Sequence, residues 1–272
     1  MLKIIPYLID KVFIKNPKLR ARVTRLLYGS KDRDIELFGT VVRVNAVREN
    51  GYVRAYEKSR RNGLFREEIG PLMALVGLLR PGDTFVDVGA NIGLFCCTLA
   101  RFKSWYPDLE IIAFEPHPDT FQRLKWNADR TGVVAHACAL SDEEGELTFS
   151  DSAMSNVFAI DSPANPYRIV GKTIQIPTKR LDQVIPDARS VILKIDAEGC
   201  EHKVLLGASG LFDRGVVKAV FVDSIPGGEP EARQFLVNRG FTLWDARTLS
   251  KEIPGEAIIA LKGNGDLSTL TK

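Results

Sequence analysis

Short apolar runs followed by segments with apolar residues at helical spacing recur through the middle of the chain. Phe85, Val86 and Val88 form one run, the turn Gly89-Ala90-Asn91-Ile92-Gly93 follows, and Leu94, Thr98 and Leu99 continue at helical spacing. That order predicts a strand, a turn and a helix. A second run, Glu110-Ile111-Ile112-Ala113-Phe114, ends in Glu115 and passes through Pro116-His117-Pro118 into a helix carrying Phe121, Leu124, Lys125 and Ala128. Residues 133–140 read as a third buried strand and residues 191–196 as a fourth, with Glu198-Gly199 opening the helix behind it. Residues 216–222 form another strand ending in Asp223, and residues 241–244 and 257–262 complete the sheet as an antiparallel hairpin. Strands alternating with helices imply an α/β fold: a seven-stranded, mostly parallel sheet with helices on both faces.

The flanking patterns differ. Residues 1–27 mix apolar and basic residues at near-helical spacing, which predicts two short helices with Pro6 and Pro17 at starts or kinks. Residues 35–56 alternate around Asn50-Gly51, a hairpin signal. In residues 67–79, Ile69, Leu72, Leu75, Val76 and Leu79 predict a helix that stops at Pro81-Gly82, with Glu67 and Glu68 at the end where acids suit the dipole. The chain thus divides into an N-terminal helical and hairpin extension, residues 1–63, and an α/β domain, residues 64–272. Glu146-Leu147-Thr148-Phe149 alternates as a hairpin strand, and the irregular polar stretch 150–178 reads as a substrate loop.

The candidate chemistry collects at one sheet edge. Gly89 and Gly93 allow open backbone conformations and close approach of a ligand, with Ala90 and Asn91 between them, while the following helix directs its first N–H groups at the turn. Glu115 lies 28 residues after Asp87, at the end of the adjacent strand, where it can reach a ribose. A dinucleotide fingerprint would read G-x-G-x-x-G; this turn lacks the middle glycine and has Asp87 two residues before Gly89. A carboxylate there opposes pyrophosphate and suits an ammonium or sulfonium. S-adenosylmethionine is therefore expected rather than NAD. Pro116 and His117 follow the ribose acid, and His117 can pack over the nucleoside. Leu140, Ser141 and Asp142 leave the sheet where an adenine would lie.

Composition narrows the class. Of 272 residues, 45% are hydrophobic and 26% charged, as in soluble globular proteins, and no apolar run is long enough to span a membrane. Without a signal-peptide core, the expected location is cytoplasmic. Cys96, Cys97, Cys138 and Cys200 form no C-x-x-C pair and read as small apolar thiols in a reducing compartment. The net charge of +3 is uneven: residues 1–33 carry nine Lys/Arg against Asp10 and Asp32, +7, leaving −4 on the remainder. A basic arm of that kind can touch a membrane surface or an acidic partner. Nucleic acid is not expected, because the body is acidic and shows neither an Asn-Pro-Pro-aromatic motif nor a Pro-Cys nucleophile.

Four motifs in order, VDVGANIG at 86–93, FEP at 114–116, ALSDEEGELTF at 139–149 and LKIDAEGCE at 193–201, resemble the FkbM family of S-adenosylmethionine-dependent methyltransferases. The resemblance covers residues 64–224. It implies a Rossmann-like class I methyltransferase fold and methyl transfer, commonly to a hydroxyl of a sugar or natural product, with S-adenosylhomocysteine as product. Ser155-Asn156 matches a short polar stretch of the family, while Asp223 stands where family members often carry Glu. A hydroxyl acceptor must lose a proton, which needs a base within reach. Asp196 is the first candidate and His202 the second, with Glu198 orienting the acceptor and Lys194 on the same strand face as Asp196. Asp196, Glu198, His202 and Asp223 could instead hold a divalent metal, although acids at a helix start require none. A protein that binds a nucleoside without turnover is the alternative to an enzyme.

Overall fold

The computed structural model describes residues 17–49, 51–53, 66–150, 173–223, 230–251, 257–263 and 267. The first of the two expected N-terminal helices and Pro6 lie outside these residues. The second, α1 (Pro17–Tyr28), begins at the expected proline. Strands β1 (Asp32–Leu37) and β2 (Thr40–Asn45) form an antiparallel hairpin closed by Phe38-Gly39, because Leu37 pairs directly with Thr40. The hairpin turn is thus not at Asn50-Gly51 as expected: Asn50 lies outside the described residues, and Gly51 lies in a helical turn. Both loop residues have positive φ, 49° and 73°, as a two-residue hairpin loop demands. Glycine takes that conformation freely; Phe38 is held there by apolar packing against the core.

Helix α2 (Arg66–Leu78) ends before Pro81-Gly82, as expected, and leads into β3 (Thr84–Val88). The turn at 89–93 and α3 (Leu94–Leu99) follow, then β4 (Glu110–Phe114), α4 (Pro118–Ala128) and β5 (Val134–His136). After an excursion described below, β9 (Val191–Ile195), α6 (Glu201–Gly207), α7 (Ser209–Asp213), β10 (Val217–Asp223), α8 (Pro230–Asn238), β11 (Phe241–Asp245) and β12 (Ala257–Lys262) complete the sheet. Its order is β11-β12-β10-β9-β3-β4-β5, with β12 antiparallel to both neighbours and β9, β3, β4, β5 and β10 parallel. From β3 the chain first builds outward through β4 and β5, then returns to the other side of β3 with β9. That reversal is a topological switch point, where open α/β sheets bind their ligands.

Alternation along each strand feeds two cores. Phe85, Ile111, Ile192 and Phe221 pack under α2, α3 and α4 on one face. Val86, Leu193, Ile195 and Val222 pack with residues of α6, α7 and α8 on the other.

The stretch read as one buried third strand is two elements. Only 134–136 joins the main sheet, at its edge with Val134 exposed; β6 (Ala139–Leu140) belongs to a separate sheet, ordered β6-β8-β7, with β7 (Gly145–Ser150) and β8 (Thr173–Lys179). The irregular stretch is accordingly shorter than expected, since residues 173–178 pair with β7. Residues 151–172, with Ser155-Asn156, lie outside the described residues, as do the side chains of Glu67 and Glu68. A short helix, α5 (Leu181–Val184), returns the chain to β9.

Candidate active site

The turn after β3 is built from residues with positive φ: Gly89 at 68°, Asn91 at 52° and Gly93 at 86°. Glycine is required at 89 on packing grounds too. A Cβ there would lie 1.8 Å from the Asp196 carbonyl oxygen, so β3 and β9 could not converge at this edge. Ala90 donates its N–H to Phe114 O at 2.9 Å and Asn91 donates to Glu115 Oε2 at 2.9 Å, binding the turn to the end of β4.

Beneath the turn lies an ionic group that the alternation of β3 and β9 assembles. Asp87 and Lys194 are register partners on adjacent parallel strands. Lys194 Nζ sits 3.1 Å from Asp87 Oδ1 and 3.6 Å from Asp196 Oδ2, and donates to Gly89 O at 2.9 Å. Burial opposes its charge, but Asp87 and then Asp196 outweigh burial and hold the ammonium above its ordinary range. Lys194 is therefore a permanent cation, not a proton acceptor. Asp87, fully buried, also accepts the N–H of Cys96 in the first turn of α3 at 3.1 Å. This departs from the expectation that Asp87 faces an ammonium or sulfonium: it does not line the cavity, and its charge is met internally. Lys194→Met would leave the Asp87 carboxylate buried without its cation, and such losses cost about 3–5 kcal/mol. The expected result is a destabilisation of that size in urea unfolding.

An open cavity of about 670 Å³, including the solvent at its mouth, lies over the switch point. Gly89, Asn91, Glu115 and Pro116 form one wall, Asp196, Ala197 and Glu198 another. The remaining wall is apolar, with Leu140 of β6 and Leu147 and Phe149 from one face of β7. Glu115 is almost fully buried, and its second oxygen accepts the His117 N–H at 2.9 Å. Burial raises its pKa to about 7, against the N–H groups of His117 and Asn91 and the charge of Lys194. Asn91 Oδ1, also buried, has no hydrogen-bond partner among the described residues.

Other expected site residues are placed differently. His117 caps α4 through Nδ1, which accepts the Asp119 N–H, and its Nε2 lies 3.2 Å from Arg48. Ser141 and Asp142 are not among the residues lining the cavity: the Ser141 backbone N–H donates to Lys179 O, its carbonyl abuts Gly207, and the Asp142 carbonyl accepts from Arg180. Glu198 is not helical. Its φ of 50° puts it in a turn before α6, so Glu198 and His202 do not share a helix face. His202 meets the Phe235 ring at 6.2 Å and is absent from the cavity wall. Among the described residues no group of three His, Cys, Asp or Glu side chains could hold a metal, which removes the grouping of Asp196, Glu198, His202 and Asp223.

Asp196 remains at the mouth with 39% of its side chain exposed. Surrounding protein raises its carboxyl above the ordinary value; Lys194 opposes that rise and Asp87 adds to it. Glu201 is a further residue of this edge, outside the candidates that the sequence motifs supply. Fully buried, it accepts the N–H groups of Ala197 and Gly199 at 3.1 Å and so fixes the turn that carries Glu198. Its signal in the sequence is an acid in the first turn of a helix.

The strand order and the antiparallel β12 define a Rossmann-like class I methyltransferase fold, with the cavity at its switch point. Residues 87–243 match the family described as Methyltransferase FkbM domain, and the chain belongs to that family of methyltransferases. It is 32% identical over 197 residues to the 31-O-demethyl-FK506 methyltransferase FkbM of Streptomyces tacrolimicus, covering 61% of this chain and 75% of that one. Over 156 residues it is 30% identical to the hexuronic acid methyltransferase AglP of Haloferax volcanii, covering 55% and 59%. A crystal structure of Methyltransferase FkbM from Methylobacillus flagellatus KT matches 68% of this chain and 45% of that one, at 16% identity and a TM-score of 0.40. No helix among the described residues is long and apolar enough to cross a membrane.

Proposed function

We propose that the protein methylates a hydroxyl of a sugar, glycan or natural-product small molecule, using S-adenosylmethionine and releasing S-adenosylhomocysteine. The observation that carries this reading is one cavity at the switch point with a buried carboxylate, Glu115, on one wall and a solvent-reaching carboxylate, Asp196, on another. The relatives named above, a 31-O-demethyl-FK506 methyltransferase and a hexuronic acid methyltransferase, support the acceptor class.

The residues suit the donor. Glu115 accepts the ribose hydroxyls, the buried Asn91 Oδ1 offers an unused acceptor, and Leu140, Leu147 and Phe149 cover the base. When bound, S-adenosylmethionine supplies a methyl group activated by a sulfonium. The protein's part is to align the acceptor oxygen with that methyl, exclude water and receive the hydroxyl proton. Asp196 receives it at a carboxylate whose affinity for protons is already raised. Lys194 keeps that carboxylate and the Gly89 carbonyl in place, and Glu198 orients the acceptor. The catalytic domain is residues 64–272, and the chemistry requires no metal.

Calorimetric titration with S-adenosylmethionine, S-adenosylhomocysteine and NAD tests the donor. Saturable binding of both adenosyl ligands without NAD is expected, and hydroxylated acceptors should then gain one methyl by mass in the presence of chelator. Binding of NAD alone would overturn the reading. Contact between the basic arm and an anionic membrane surface is proposed on charge and on α1, where Leu26 is 85% exposed beside exposed Arg22 and Arg25.

A further inference from the structure

We infer that the N-terminal hairpin is the outer support of the donor turn and that Asn127 is the positioning residue joining the two. The inference rests on the donor reading above. It starts from strain: a turn with positive φ at Asn91 between two such glycines persists only where its surroundings over-determine it. From the sheet side, Lys194, Phe114 O and Glu115 do this. From the other side the contacts come from α4 and the hairpin.

Asn127 on α4 donates through Nδ2 to Ile92 O at 2.6 Å, and its Oδ1 accepts the Arg43 N–H of β2 at 2.6 Å. One buried amide thus bonds the backbone of the turn and the backbone of the hairpin. The Ile92 side chain, fully buried, packs with Ile35, Leu37, Val42 and Val44 from β1 and β2. One helical turn before Asn127, on the same face, Arg123 bonds Glu49 at 2.8 Å with both side chains almost wholly buried. Glu49 in turn accepts the Asn45 N–H at 2.7 Å, and Arg48 reaches Asp119 at the start of α4 at 2.8 Å. Contacts from Arg43 to Glu49 therefore run along α4 from its end to its beginning. No residue of the hairpin lines the cavity, so its effect on the ligand passes through Ile92 and Asn127, and beside them through Arg48 and His117 to Glu115. The hairpin also lies outside the family match, which begins at residue 87.

Two measurements test this. In the wild-type full chain, saturating S-adenosylhomocysteine should slow amide hydrogen exchange across residues 35–45, because coupling between two sites is reciprocal. Unchanged exchange there, with binding confirmed by calorimetry, overturns the proposal while leaving the donor reading intact. No binding by the wild type would instead sink the donor reading, and the positioning role with it. Second, Asn127→Ala and Asn127→Asp should each raise the Kd for S-adenosylhomocysteine about tenfold, roughly the loss of one buried hydrogen bond. The aspartate keeps the bond from Arg43 N–H but cannot donate to Ile92 O. Lowered melting temperatures with wild-type Kd in both variants would mark Asn127 as merely structural. If neither variant folds, the exchange measurement on the wild type decides.

Discussion

Glu115→Ala should weaken S-adenosylhomocysteine binding by about two orders of magnitude or more. Hydrogen bonds to a charged group contribute about 1.5–3 kcal/mol each, and a ribose diol makes two of them. The variant also leaves the N–H groups of Asn91 and His117 without the oxygens they now use, which loosens the donor turn. Calorimetry measures the change, and wild-type affinity in a folded variant would remove Glu115 from the donor site. A pH dependence follows from the same carboxylate. Its pKa is raised from 4.5 to about 7, so the folded state holds a proton that the unfolded chain has released between those values. Stability from this group is therefore greatest below about 4.5 and declines as pH rises to about 7. A diol favours the ionised form, so affinity should rise with pH up to about 7 and then level. Glu115→Gln should flatten both profiles.

Most of the sheet is legible because its signals are local and repeated: β3, β4, β9 and β10 are apolar runs, a helical period follows β3 and β4, and Glu115 follows its strand directly. What the sequence concealed depends on packing. Phe38-Gly39 closes the hairpin against a stronger turn signal at Asn50-Gly51, because strand register decides and the Phe38 ring finds apolar cover. Asp87 was expected to meet the ligand. Strand alternation correctly put Lys194 on the face of Asp196, but only the register between β3 and β9 brings Asp87 to the same ammonium. Residues 198–199 read as the opening of a helix; the positive φ of Glu198 and the Glu201 carboxylate that accepts the Gly199 N–H delay the helix by three residues, and the Glu198–His202 face is lost. The Asn127 bridge joins residues 84 and 35 positions apart, beyond any local pattern.

Those corrections concentrate the acid–base chemistry on one residue. Lys194 is held charged and His202 faces Phe235 away from the cavity wall, which leaves Asp196 and Glu198 as the carboxylates lining it; of these we propose Asp196, beside Lys194, as the group that takes the acceptor's proton. Asp196→Asn keeps the shape and an oxygen for Lys194 but cannot accept a proton. It should lower kcat by about 10²- to 10⁴-fold, the usual range for general base catalysis, with the Kd for S-adenosylhomocysteine near wild type. Glu115→Ala should show the opposite division, its main effect falling on donor affinity. His202→Ala should retain nearly full activity, which separates the two candidate bases. Because neighbouring protein and Asp87 raise the Asp196 carboxyl above its ordinary value, the acid limb of the kcat profile should lie above the range of a free aspartate. A fully active Asp196→Asn enzyme would transfer the proton to another acceptor, and a His202→Ala enzyme that lost the limb would identify it.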